Sequence, residues 1–130
     1  MKSFLLVTSM LTFFKVVNAQ KVANIESGGK LVICNITSGN QTENCHTVES
    51  SGVTVANIGK DKVAYICNGR VIVCNIVSGN QTETCHTIEY SGVSNVLLVG
   101  DSKVIITYDS GKKVACGLDN SNVPTNCSTL

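Results

Sequence analysis

The residues best suited to chemistry are seven cysteines and two histidines, and six of the cysteines fall into evenly spaced pairs. Cys34 and Cys45, Cys74 and Cys85, and Cys116 and Cys127 each have ten residues between them, and the first members are 40 and then 42 residues apart. Two chemistries suit such a set. One is oxidation of each pair to a disulfide; the other is zinc ligation helped by His46 and His86, which directly follow the second cysteine of the first two pairs. Zinc sites bring cysteines together two to four residues apart, and that spacing is absent. The pair midpoints fall in turn material instead: Ser38-Gly39-Asn40-Gln41, its copy Ser78-Gly79-Asn80-Gln81, and Ser121-Asn122. Glycine and asparagine tolerate the positive φ of tight hairpins. Directly opposed residues on antiparallel strands lie roughly 4.5 to 5.5 Å apart at Cα, within disulfide reach. Three local cross-strand disulfides are expected.

The remaining polar candidates are fewer. His46 with Glu49, and His86 with Glu89, form a candidate duplicated ligand or metal site. On a strand, however, residues three apart point to opposite faces, so they cannot form a local pair. Repetition of the text is therefore the simpler account of the two histidines. Cys67 is the odd cysteine; its repeat equivalents are Glu26 and Tyr108. It reads either as a buried thiol, since unpaired cysteine packs like a small hydrophobe, or as an intermolecular disulfide. Four Asn-X-Ser/Thr sequons begin at Asn35, Asn40, Asn80 and Asn126. Asn40 and Asn80 sit at hairpin tips and are the expected glycosylation acceptors; Asn35 lies in a strand and Asn126 has a paired cysteine inside its sequon, so both are poorer ones. No Ser-His-Asp or Cys-His constellation, phosphate loop or metalloprotease motif is present. The chain is not expected to be an enzyme, and no cofactor is implied.

The elements that must position these residues are repeats. Val32 to Glu49 returns nearly unchanged as Ile72 to Glu89, each copy followed shortly by Ser-Gly-Val. A fixed period of this length means one supersecondary unit stacked on copies of itself. The middle copy reads as strands Val53–Ile58, Val63–Cys67, Val71–Ile76 and Thr84–Glu89, separated by Gly, Asn, Asp and Ser turn residues. The third reads as Asn95–Val99, Val104–Tyr108, Val114–Leu118 and Asn126–Leu130, while the first begins only at its second strand, Val22–Glu26. The first three strands of a unit are nearly continuously apolar and the fourth is polar, which suits buried inner strands and a solvated edge. With Val63-Ala64-Tyr65, Asn68-Gly69, Val71-Ile72-Val73, Ser78-Gly79 and the paired cysteines, this gradient resembles a β-propeller blade. The resemblance implies an all-β antiparallel meander of three four-stranded, blade-like repeats. Propellers close with four or more blades, so three would form an open stack, or two copies would complete a six-bladed ring. A β-trefoil is the competing closed solution.

Met1 to Ala19 carries Lys2, an apolar run from Phe4 to Phe14 and the small residues of Val17-Asn18-Ala19. This reads as a secretory signal, too short in its apolar core to span a bilayer. The mature chain is then a single repeat domain, residues 20–130, with repeats at approximately 20–50, 51–92 and 93–130. Without Lys2 and Lys15 it has eight basic residues against nine acidic ones, which favours neither nucleic acid nor an anionic membrane. Export makes disulfides available. A leader, a short mature chain and disulfide hairpins resemble the small secreted cysteine-paired proteins of fungi, including effectors. The expected function is binding to a glycan or a foreign protein. The alternative is a self-associating surface or wall component, with a homodimer as its simplest form.

Overall fold

The computed structural model describes residues 20–130; the expected export leader, Met1–Ala19, lies outside the described residues. Among the described residues, eleven strands form three antiparallel sheets, one per repeat. The first sheet contains β1 (Gln20–Glu26), β2 (Lys30–Ile36) and β3 (Thr42–Glu49). The second contains β4 (Val53–Ile58), β5 (Lys62–Cys67), β6 (Arg70–Val77) and β7 (Gln81–Glu89). The third contains β8 (Val93–Val99), β9 (Lys103–Tyr108), β10 (Lys113–Leu118) and β11 (Pro124–Thr129). Strand order within each sheet follows the chain, so each repeat is a simple meander; among the described residues the first sheet has three strands where the others have four. Among the described residues no ladder joins one sheet to the next, whereas a trefoil needs ladders between repeats.

The sheets hold together through their faces. Residues alternate across a strand, and the second sheet accordingly serves two cores. Val63, Tyr65, Cys67 and Cys74 pack with Leu31 and Ile33 of the first sheet. Ala64, Ile66, Val71 and Val73 pack with Val96, Leu98, Val104 and Ile106 of the third. This explains why β5 reads as an unbroken apolar run: both of its faces are covered. The outer strands β3 and β11 are mostly exposed and polar, as a solvated edge requires.

All three expected disulfides are present, with Cα atoms 4.1 Å apart in each. Their setting differs from a plain ladder. Ile33 opposes His46 and Asn35 opposes Glu43, so Asn44 and Cys45 together oppose Cys34 in a β-bulge. The second sheet repeats the irregularity between Val73 and Asn75, and the third between Ala115 and Gly117. The residue before the second cysteine takes a left-handed conformation in every copy: Asn44 at φ 52°, Thr84 at 55° and Asn126 at 51°. A β-branched residue avoids that region, so Thr84 is held there by the contacts around it.

Candidate functional site

The turn between each pair of cysteines places an asparagine in the left-handed region, Asn40 at φ 60°, Asn80 at 58° and Asn122 at 63°. Their fates differ. Asn40 is exposed, whereas Asn80 is 1% and Asn122 0% exposed. A buried amide must find partners, and these do. Asn80 Nδ2 donates to Asn35 Oδ1 at 3.0 Å and to the Asn44 carbonyl at 2.8 Å, and its Oδ1 accepts from Lys21 Nζ at 2.8 Å. Asn122 Nδ2 donates to Asn75 Oδ1 at 3.0 Å and to the Thr84 carbonyl at 2.8 Å, and its Oδ1 accepts from Lys62 Nζ at 2.5 Å. The tip of one sheet is thus plugged into the bulge of the sheet before it. The left-handed bulge residue supplies the receiving carbonyl because the bulge has taken it out of the ladder. Asn80 was expected as an accessible glycan acceptor; in the folded chain its nitrogen is buried and fully engaged. Of the other sequons, Asn40 and Asn126 are exposed and Asn35 is half-buried beside Asn80.

A second repeated contact lies toward the outer strands. Tyr65 Oη donates to Glu49 Oε2 at 2.8 Å, and Tyr108 Oη donates to Glu89 Oε2 at 2.9 Å. Burial first, then the hydrogen bond and charge of the facing glutamate, pushes both phenols above their ordinary pKa. Both therefore stay protonated as donors at neutral pH.

The bulges also correct the expectation for the histidines. Leu31 opposes Glu49 and Ile33 opposes His46, and Leu31 and Ile33 are two residues apart on one face. His46 and Glu49 therefore share the face turned to the second sheet, despite their spacing of three. His86 and Glu89, opposite Val73 and Val71, likewise share the face turned to the third. An extra residue, Val48 or Ile88, is absorbed by the bulge and packs into the adjoining core. Among the described residues, no three His, Cys, Asp or Glu side chains cluster as a metal ion requires.

Cys67 is a free thiol, 7% exposed, its Sγ donating to the Ser51 carbonyl at 3.4 Å. Burial pushes its pKa up, the Glu49 carboxylate adds to this, and Arg70 opposes it. Between the buried-thiol and cross-link readings, the geometry matches the first; an intermolecular bridge would require β5 to open.

Between β7 of the second sheet and β9, β10 and β11 of the third lies a groove of about 340 Å³. Its floor includes Ile88 and Val114, and its polar lining includes Glu89, Tyr108, Lys112 and Thr129. Lys112 Nζ stands 5.7 Å from the Tyr108 ring centroid, a cation–π distance. The groove thus presents one carboxylate, one ammonium group and hydroxyls around an apolar floor. Neither His46 nor His86 lines it.

Sequence reasoning missed the asparagine plugs and the Tyr–Glu pairs. A readable trace of the plugs exists: a Lys-Val pair lies within the first three residues of the corresponding strand in each repeat, at Lys21, Lys62 and Lys103. No protein-family model matches the chain, and no curated protein matches it, so the resemblance to small secreted fungal proteins gains no support from relatives.

Proposed function

We propose that this chain is a secreted, disulfide-braced binding protein and not an enzyme, and that it takes a glycan or a surface of a foreign protein through the groove between its second and third sheets. The observation that carries this reading is the groove's mixed lining: Glu89, Lys112 and Thr129 around Ile88 and Val114. A hydroxyl-rich ligand is matched by such a set, with a carboxylate to accept, an ammonium group to donate and an apolar floor for a sugar ring's C–H face. The leader-like Met1–Ala19 and three intramolecular disulfides support export. No helix of the described residues is long and apolar enough to cross a membrane.

The test is binding of the secreted protein to a panel of immobilised oligosaccharides, followed by titration calorimetry on any hit. Thr129→Trp, placed in the exposed last strand, is designed to fill the groove with no core disruption. Saturable binding that Thr129→Trp weakens by about tenfold or more, about 1.4 kcal/mol, with an unchanged unfolding midpoint, supports the reading. Binding that the variant leaves intact overturns the groove as its site.

A second reading, self-association as a surface component, is favoured by the free face of the third sheet. Leu97 and Val99 stand there 44% and 45% exposed, on strand positions alternating with the buried Val96 and Leu98.

A further inference from the structure

The contact between successive sheets is built twice from the same parts. The donor is the hairpin-tip asparagine in the left-handed conformation, Asn80 or Asn122. The receiver, on the preceding sheet, is a lysine (Lys21 or Lys62) and the carbonyl of the left-handed bulge residue (Asn44 or Thr84), with an asparagine side chain (Asn35 or Asn75) completing it.

Among the described residues, one donor and one receiver remain unused, at opposite ends of the stack. Asn40 lies in a Ser-Gly-Asn-Gln turn identical in sequence to that of Asn80, has nearly the same φ (60° against 58°) although the glycine before it, unlike Gly79, is not left-handed, and is exposed. On the third sheet Lys103 opposes Gly117, the register in which Lys21 opposes Asn35 and Lys62 opposes Asn75. Asn126, directly before Cys127, holds the left-handed bulge conformation of Asn44 and Thr84. Lys103 is exposed. Leu97 and Val99 add exposed apolar surface on the same face.

We propose that the occupant of this third-sheet face is the first sheet of a second copy. Asn40 of one molecule donates from Nδ2 to the Asn126 carbonyl of the next and accepts from Lys103 at Oδ1. The inference rests on the self-association reading and is independent of the groove. The contact is head-to-tail, so it closes as a two-molecule, six-sheet ring where the rotation permits and otherwise propagates as a filament. It is thinner than the contacts inside the chain. Gly117 lacks the asparagine side chain of Asn35 and Asn75, and Lys113 and Ala115 replace the Leu31–Ile33 and Val71–Val73 pairs. Association is therefore expected at micromolar to millimolar concentrations, within reach of a secreted protein that accumulates. Asn40 also begins a sequon, Asn40-Gln41-Thr42. A glycan there would replace one Nδ2 hydrogen with a sugar too bulky for a plug that packs against the next sheet, so glycosylation at Asn40 and assembly exclude one another.

The test uses protein exported to an oxidising compartment in a host that attaches no N-glycans, with sedimentation velocity from low micromolar to millimolar concentration. Asn40→Gly keeps the left-handed turn and removes the donor; Lys103→Glu reverses the receiver. Both residues are exposed, so both variants are expected to fold, with circular dichroism as the check. Each variant alone is expected to associate at least about tenfold more weakly than the parent, the loss of one hydrogen bond to a charged group. Mixed one to one, they restore a heterodimer, because one retains Lys103 and the other retains Asn40. A parent chain that stays monomeric throughout overturns the proposal. So does association that both variants leave intact, which would preserve self-association but place it on another surface. A mixture that associates no better than its components excludes the head-to-tail geometry.

Discussion

Replacing Asn122 by glycine removes a side chain and leaves its backbone undisturbed, because glycine adopts the φ of 63° freely. Three hydrogen bonds go with it: to Asn75 Oδ1, to the Thr84 carbonyl and from Lys62 Nζ. Net contributions are roughly 0.5 to 1.5 kcal/mol for a neutral hydrogen bond and about 1.5 to 3 for one to a charged group. Lys62 and Asn75 are only half-buried and can turn partly to water, so the lower ends apply to them. The cavity left by a fully buried side chain works in the other direction. A loss of about 3 kcal/mol follows, a large share of the roughly 5 to 15 kcal/mol that holds a small domain folded.

Asn80→Gly removes the matching set and is expected to lose a similar amount. Asn40→Gly removes nothing internal and is expected to stay within about 0.5 kcal/mol of the parent, the usual span for surface substitutions. The assay is urea unfolding followed by far-ultraviolet circular dichroism, at dilution where molecules do not meet. With a slope of about 1 to 2 kcal/mol per molar urea, the midpoint for either buried asparagine falls by roughly 2 M, and that for Asn40→Gly hardly moves. Asn122→Gly and Asn80→Gly that unfold with the parent, or an equal loss in all three variants, would refute a stabilising role for the buried asparagines.

Tyr65 and Tyr108 have phenol pKa values raised by burial and by Glu49 and Glu89, so their contribution to stability is intact below the ordinary tyrosine pKa of about 10 and is lost as pH rises through the higher folded value. The urea midpoint should therefore fall above about pH 10, and Tyr65→Phe should remove its part of that fall; phenolate absorbance appearing with no loss of stability would contradict this. The Cys67 thiol, buried and with its pKa pushed up, should react with a maleimide only as fast as the chain opens; rapid stoichiometric labelling in native buffer is the opposing result. In protein secreted from glycosylating cells, peptide mapping should find Asn80 free of glycan, since its nitrogen is engaged and buried; a fully glycosylated Asn80 in folded material would exclude the plug.

Much of the fold is legible because it is periodic and local. The alternation of apolar and turn residues marks eleven strands, and cysteines symmetrically placed about Gly-Asn or Ser-Asn turns announce their partners. What is hidden is hidden for physical reasons. The β-bulge beside each disulfide is invisible to a rule of two residues per period, so His46 and Glu49 seem to face apart while the ladder brings them to one face. Asn40 and Asn80 have nearly the same neighbours in sequence, yet one is exposed and the other buried. The difference is whether another sheet precedes them, which no local pattern records. The Tyr–Glu pairs are harder still. Glu49 and Glu89 are equivalent, but Tyr65 and Tyr108 stand at different strand positions, Tyr65 opposite Ile72 and Tyr108 beyond the paired segment of β10. Two geometries meet one acceptor, and repeat alignment does not reveal it.

Successive sheets are joined by a buried asparagine plug, used twice and, among the described residues, left open once. Hydrogen exchange of the asparagine side-chain amides, followed by nitrogen-15 NMR, reads this directly. Both Nδ2 hydrogens of Asn80 and of Asn122 are engaged, so two amide pairs are expected to exchange far more slowly than the rest. These pairs should disappear one at a time in Asn80→Gly and Asn122→Gly, while the Asn40 pair exchanges at the rate of free amides in dilute solution. Side-chain amides that all exchange alike at the free rate would contradict the plug and the stacking built on it.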